Sequence, residues 1–158
     1  MSLGMQLQSA FAGCPDLGSA LDVILQRFEA ISGTVHALDS DGLLHLTASR
    51  NIPDAVLEKV RTVPVGTGMA GLAVERRQAV NVCNLQTDTS GDVRPGAKAS
   101  GLQGAVALPI FHEDAVVGAL GVGAANERIF TETELEELTE IGRVLAARFL
   151  TSSRSSAA

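Results

Sequence analysis

The chain has 158 residues, of which 46% are hydrophobic and 19% charged, and this length and composition fit one globular domain with a sizeable core. Its formal net charge of −6 and pI of about 5.0 exclude a nucleic-acid partner, because neutralising phosphates requires a basic face. No apolar run is long enough to cross a bilayer, no signal peptide is evident, and Cys14 and Cys83 form no disulfide framework, so we expect a cytoplasmic protein without a membrane partner.

The first third of the chain predicts a helix followed by a β-hairpin. Apolar residues recur at helical spacing over residues 16–31, and Gly33 is the expected stop. Residues 34–39 and 43–51 are short β-type runs, and Ser40–Gly42 separates them with an Asp-Gly pair. An Asp-Gly pair between two such runs indicates a hairpin turn.

The second half of the chain predicts a second hairpin preceded by a long polar connection. Residues 79–85 read as a strand, and residues 84–103 are polar and long enough to form a lid over a site. Residues 104–111 and 115–125 are strongly apolar strands joined across His112–Asp114. The sheet that results is antiparallel.

The last predicted element is a helix from Thr131 to about Leu150. Thr131 and Glu134 have the spacing of a capping box, and Phe130 and Leu135 have the spacing of a hydrophobic staple.

Together these patterns predict an α+β domain over residues 16–150. We expect the flanking residues 1–15 and 151–158 to be disordered, because they carry no periodic apolar pattern.

Residues 64–80 contain the spacing G-x-G-x-x-G, formed by Gly66, Gly68 and Gly71. This spacing is the dinucleotide-binding fingerprint when it follows a strand and opens a long crossover helix. Here a short helix over about 53–60 and a brief extended segment precede it, and the next helix ends near Arg77. The glycines therefore predict a sharp turn and a two-turn helix packed close to the sheet, not a nucleotide site.

Four segments occur in the order VPVGTGMAGLAVERRQAVNV, NLQTD, GLQGAVALPIFHEDAVVGALGVGA and FTETELEELTEIGRVLAARF. In this order they resemble the GAF domains, which are small-molecule-sensing modules of signalling proteins. The resemblance covers residues 16–150 and implies an antiparallel sheet of five to six strands, with the N- and C-terminal helices on one face and a ligand cavity on the other. It also implies a homodimer formed through those helices. Asn84 stands where the family often has Asp, Asp88 matches, and neither the cyclic-nucleotide signature nor the bilin-attachment setting can be assembled.

The candidate ligand-binding residues lie in the glycine segment, in the polar connection over residues 84–103 and in the last predicted strand. Small residues alternate along the last predicted strand, so that either a ligand or a helix can approach one of its faces closely. Residues 84–103 supply polar groups that could orient a small molecule. The ligand is unknown, and no cofactor is indicated. The candidates are Met69, Asn84, Asp88, Ser100, Gly101, Ala119 and Gly121.

The leading functional hypothesis is a non-catalytic regulatory sensor, and two alternatives stay open. One is an enzyme resembling the GAF branch that reduces free methionine-R-sulfoxide, but that chemistry needs an attacking thiolate and a resolving partner, and we expect Cys83 to be inert and half-buried. The other is a dimerisation module without a ligand. A metal site is not predicted, because His36, His45 and His112 do not form a convergent ligand set.

Overall fold

The computed structural model describes Phe11, residues 16–84, Gln86 and residues 102–157, with side chains described as far as Arg148. Among the helices in these ranges, none combines the length and apolarity needed to cross a bilayer. In chain order the elements are α1 (Leu17–Arg27), β1 (Ser32–Leu38), β2 (Leu43–Arg50), α2 (Asp54–Val60), β3 (Thr62–Pro64), α3 (Gly68–Arg76), β4 (Val80–Val82), β5 (Ala105–His112), β6 (Ala115–Gly123) and α4 (Glu132–Ala157).

The strands form one six-stranded antiparallel sheet in the order β3-β2-β1-β6-β5-β4. Both predicted hairpins are present, as β1–β2 and β5–β6. The two hairpins join at the centre of the sheet, where β1 pairs with β6 from Ser32 opposite Gly123 to Ala37 opposite Gly118. The predicted α+β class with an antiparallel sheet is confirmed.

The helices α1 and α4 cover one face of this sheet. Leu21 and Ile24 of α1 and Ile141 of α4 are fully buried in one cluster with Val35 and Leu120 of the central strands. Because successive strand residues point to opposite faces, the neighbours of Val35 and Leu120 face away from these helices. The prediction that the two long helices lie on one face is confirmed.

The helix α1 ends earlier than its apolar pattern predicted. It stops at Arg27, and Glu29 has a positive φ of 53°. Ile31 is therefore 45% exposed, and its N–H donates to the carbonyl of Gly123. The apolar stripe extended the predicted helix to Ile31, whereas the main chain of that residue bonds to the end of β6, directly before β1 begins.

The chain ends also differ from the prediction. The helix α4 continues past Leu150 to Ala157, because no Gly or Pro in this stretch interrupts it. Phe11, in the segment predicted to be disordered, has no exposed surface and packs in the main core. Arg148 of α4 donates to the carbonyl oxygen of Phe11 and holds that residue against the helix.

The glycine segment forms the predicted sharp turn and short helix. Gly66 and Gly68 have positive φ values of 94° and 63°. A Cβ atom on Gly71 would lie 2.4 Å from the carbonyl oxygen of Pro64, so this glycine lets α3 approach the edge strand β3. The helix begins at Gly68, three residues before the predicted start at Gly71.

Candidate functional site

A cavity of about 320 Å³ lies on the sheet face opposite α1 and α4. Strands β1, β5 and β6 form its floor, and the helices α2 and α3 supply its walls. Val56 and Val60 of α2 line one side, and Met69 of α3 lines another. Most of the lining is apolar. Among the described lining residues Lys59 is the one basic side chain of fixed charge, and none carries a carboxylate.

Three polar side chains run along the floor of the cavity on alternate positions of β1. They are Ser32, Thr34 and His36, and we call them the polar strip. In the register of β1 with β6 they stand opposite Gly123, Gly121 and Ala119 respectively.

The small residues of β6 make room for this polar strip. A Cβ atom on Gly121 would lie 2.6 Å from Oγ1 of Thr34, and one on Gly123 would lie 2.7 Å from Oγ of Ser32. The sequence left open whether a ligand or a helix approaches the small face of β6. The structure shows side chains of the neighbouring strand there, together with Leu102 beside Gly123.

His36 is the buried titratable group of the cavity. Its side chain is 2% exposed, and Nε2 lies 2.7 Å from the carbonyl oxygen of Val60. Since a carbonyl only accepts, Nε2 carries the proton and the neutral ring presents Nδ1 as an acceptor. Nδ1 is buried and has no hydrogen-bond partner among the described residues. Burial lowers the pKa of His36, against the effect of the Val60 hydrogen bond, and His45 lowers it further. His36 is therefore neutral at pH 7.

The other two histidines are not among the residues that line the cavity. His45 is on β2 and pairs with Asp39, and His112 is the last residue of β5. Within the described part of the chain, no three His, Cys, Asp or Glu side chains are grouped as a metal site.

The structure brings together some of the residues that the sequence nominated. Met69 and Gly121 both line the cavity. Ala119 is buried instead in a neighbouring cluster with Leu44 and Val74. Asp88, Ser100 and Gly101 lie outside the described residues, as does most of the predicted lid.

Asn84 has a local structural contact. Its Nδ2 donates to Glu127 at 2.8 Å, and its Oδ1 accepts from the main chain of Gln86 at 2.9 Å. It is not among the residues that line the cavity. The polar strip was not predicted from the sequence, although its polar residues at 32, 34 and 36 alternate as one face of a strand does.

Cys83 is exposed, not half-buried as predicted. It follows the short edge strand β4, in which Val80 and Val82 turn toward the core. The alternating side-chain direction then places Cys83 outward. It is not among the cavity-lining residues, and Cys14 lies outside the described residues.

Comparison with known proteins places this architecture in a family. The family model for the GAF domain matches residues 16–148. Among solved structures, the GAF domain of a phosphoenolpyruvate-protein phosphotransferase from Coxiella burnetii is 19% identical, with a TM-score of 0.80 over 99% of this chain and 95% of that one. Free methionine-R-sulfoxide reductase from Neisseria meningitidis, in complex with its substrate, is 22% identical, with a TM-score of 0.75 over 97% of this chain and 89% of that one. No curated protein matches the sequence. The match to the family model spans most of the chain, and the chain therefore belongs to the GAF domain family.

Proposed function

We propose that this GAF domain is a non-catalytic regulatory sensor that binds a small molecule in the cavity and signals through its terminal helices. The cavity carries this proposal. Its volume of about 320 Å³ lies at the small end of the range for ligand pockets, about 300–1,000 Å³. Its apolar walls and short polar strip have the composition of a site that holds an apolar body and orients it with a few hydrogen bonds.

A chain of contacts from the cavity to α4 supports the signalling part of the proposal. At its N-terminal end α3 lines the cavity through Met69. At its C-terminal end Arg77 donates to the carbonyl of Asp114 at 2.6 Å, in the turn between β5 and β6. Arg143 of α4 donates to the carbonyl of Glu113 in the same turn. Both guanidinium groups lie 5.4 Å from the ring centre of Phe111. A ligand that moved α3 would act on α4 through this turn. The size of its effect depends on how differently it binds the protein with α3 in its original position and with α3 displaced.

We also propose that the domain forms a homodimer in the cytoplasm through α1 and α4. The two helices are already coupled by the ion pair of Arg27 with Glu137, so they present one joint surface. Light scattering on the purified protein tests this, because the monomer mass is 16.4 kDa. A single species at about twice that mass is expected, and a single 16.4 kDa species would contradict the dimer.

The alternative function is a reductase resembling the free methionine-R-sulfoxide reductases among the structural neighbours. Cys83 is not among the residues that line the cavity, and this argues against the reductase. An assay of free methionine-R-sulfoxide turnover with a thiol reductant decides the matter. We expect none, and turnover that is lost in Cys83→Ser would replace the sensor proposal.

Thermal-shift screening with small metabolites tests ligand binding, combined with native mass spectrometry of the purified protein. A ligand that binds only the folded state raises the melting temperature. Ala107 is buried and lines the cavity, whereas Ala55 is exposed on α2. We expect Ala107→Leu to abolish the shift by filling the cavity and the matched control Ala55→Leu to keep it. If no compound shifts the wild type and none co-purifies, the dimerisation module without a ligand is favoured.

A further inference from the structure

We propose that the cavity selects an uncharged, mainly apolar molecule that carries a hydroxyl or N–H group, and that this group donates a hydrogen bond to Nδ1 of His36. This inference rests on the proposed function, since it names the class of ligand that the sensor site takes. It follows from the state of His36, from the charges of the lining and from the layout of the polar strip.

The hydrogen bond to Val60 decides which partner His36 requires. Because Nε2 donates to that carbonyl at 2.7 Å, the lone pair of the neutral ring is on Nδ1. Nδ1 is buried and unpartnered among the described residues, and a buried acceptor left unpaired destabilises the structure. His36 is one of the residues that line the cavity, and a ligand there that reaches this atom and donates to it satisfies it. A ligand that offers only acceptors places its own lone pairs against that of Nδ1.

The charges of the lining favour an uncharged ligand. A cationic ligand would enter an apolar cavity whose described lining holds no carboxylate, so its loss of hydration would be uncompensated there. Among the described lining residues Lys59 is the one basic group of fixed charge, and it is exposed on α2. Since its charge is hydrated, an anionic ligand gains little from Lys59 and loses its own hydration.

The layout of the polar strip orients the ligand. Ser32, Thr34 and His36 lie in line along β1, and apolar side chains face them from α2 and α3. A molecule with one polar edge and one apolar body matches this division. The donor group then lies toward β1, and the apolar body lies against Val56 and Met69.

The test uses three probes of similar size: phenol, which is uncharged and donates; fluorobenzene, which has no donor; and benzoate, which is anionic. Each is titrated into the full chain at pH 7.5 and followed by NMR of the backbone amides and of the imidazole nitrogens. We expect phenol to bind about tenfold more tightly than fluorobenzene and benzoate to bind weakly. Only phenol should shift the resonance of His36 Nδ1.

Two variants assign the selectivity to this ring. His36→Leu should bring phenol and fluorobenzene to equal affinity, while His45→Leu, on the adjacent strand, should keep the wild-type preference. If His36→Leu does not fold, the Nδ1 resonance of the wild type decides alone. Equal binding of phenol and fluorobenzene to the wild type, or tighter binding of benzoate, would overturn this inference and leave ligand binding intact. Absence of binding by all three probes counts against both proposals.

Discussion

The hydroxyl of Thr34 lies in the space that a side chain on Gly121 would fill. The Oγ1 atom would be only 2.6 Å from a Cβ atom at that position. The two residues are register partners on β1 and β6, the strands that join the two hairpins. A glycine in the last long strand is therefore required by a polar side chain nearly ninety residues earlier in the sequence.

The first prediction concerns this pair. Gly121→Ala should lower the free energy of unfolding by about 1–3 kcal/mol, because the added methyl group overpacks the cavity floor. Removing the hydroxyl as well, in Thr34→Ala/Gly121→Ala, should recover part of the loss, because Cβ of Thr34 is 3.9 Å away. Urea denaturation of both single variants and the double variant measures the coupling. Purely additive effects would show that the two residues do not compete for this space.

A second prediction concerns Gly71, whose neighbours are backbone atoms. A Cβ atom there would lie 2.4 Å from the carbonyl oxygen of Pro64 and 3.1 Å from the nitrogen of Gly66. Backbone cannot rotate away, so Gly71→Ala should cost about 2–4 kcal/mol and displace α3.

Gly142 is the matched control for Gly71, because it is also a helical glycine. A Cβ atom on Gly142 would meet Ile110 at 3.5 Å, an ordinary contact. Gly142→Ala should therefore stabilise the domain by about 0.5–1 kcal/mol through its helix propensity. Equal effects of the two substitutions on the denaturation midpoint would rule out the close approach at Gly71.

The third prediction is a pH dependence of stability that arises from His36. Burial lowers the pKa of His36 in the folded state below its ordinary value of 6.5. The unfolded chain then binds the proton more readily, so stability is greatest above pH 6.5 and falls as pH drops from there through the folded-state pKa. The other basic groups on β2 and α2, the elements beside it, are His45, Arg50 and Lys59.

Urea denaturation between pH 8 and pH 5 measures this loss. His36→Leu should flatten the plot of unfolding free energy against pH in this range, and His45→Gln should leave most of the slope of that plot in place. The carboxylates with lowered pKa, Asp16, Asp39 and Glu134, contribute at more acidic pH. An unchanged slope in His36→Leu would mean that another group is responsible.

A fourth prediction concerns the start of α4. The predicted capping box is confirmed: Glu134 N–H donates to Oγ1 of Thr131 at 3.2 Å, and Thr131 N–H donates to Oε1 of Glu134 at 3.0 Å. Thr131→Ala should lower the free energy of unfolding by about 1 kcal/mol. Thr139→Ala, farther along the same helix, removes a hydroxyl that donates only to the carbonyl of Leu135. This substitution should therefore leave the free energy of unfolding nearly unchanged. Thermal unfolding distinguishes the two, and equal losses would contradict the cap.

The sequence predicted the local elements well and the cavity only in part. The two hairpins follow from short-range signals, namely an Asp-Gly turn for the first and a polar turn between apolar runs for the second. The end of α1 was misplaced because pairing with β6 overrides the helical pattern at Ile31. Met69 and Gly121, two of the nominated ligand-binding residues, line one cavity, whereas His36, which lines it too, was interpreted as an ordinary histidine.

What the sequence determined by itself is the set of elements, their antiparallel pairing within each hairpin and the GAF resemblance. Each of these depends on residues close together in the chain or on a motif order. The tertiary structure decided which strand faces line the cavity and what the small residues of β6 accommodate. It also decided that His36 is buried with one ring nitrogen bonded to Val60 and the other unpaired. These facts depend on the register between β1 and β6 and on where α2 packs, and such long-range contacts leave no periodic signal in the sequence.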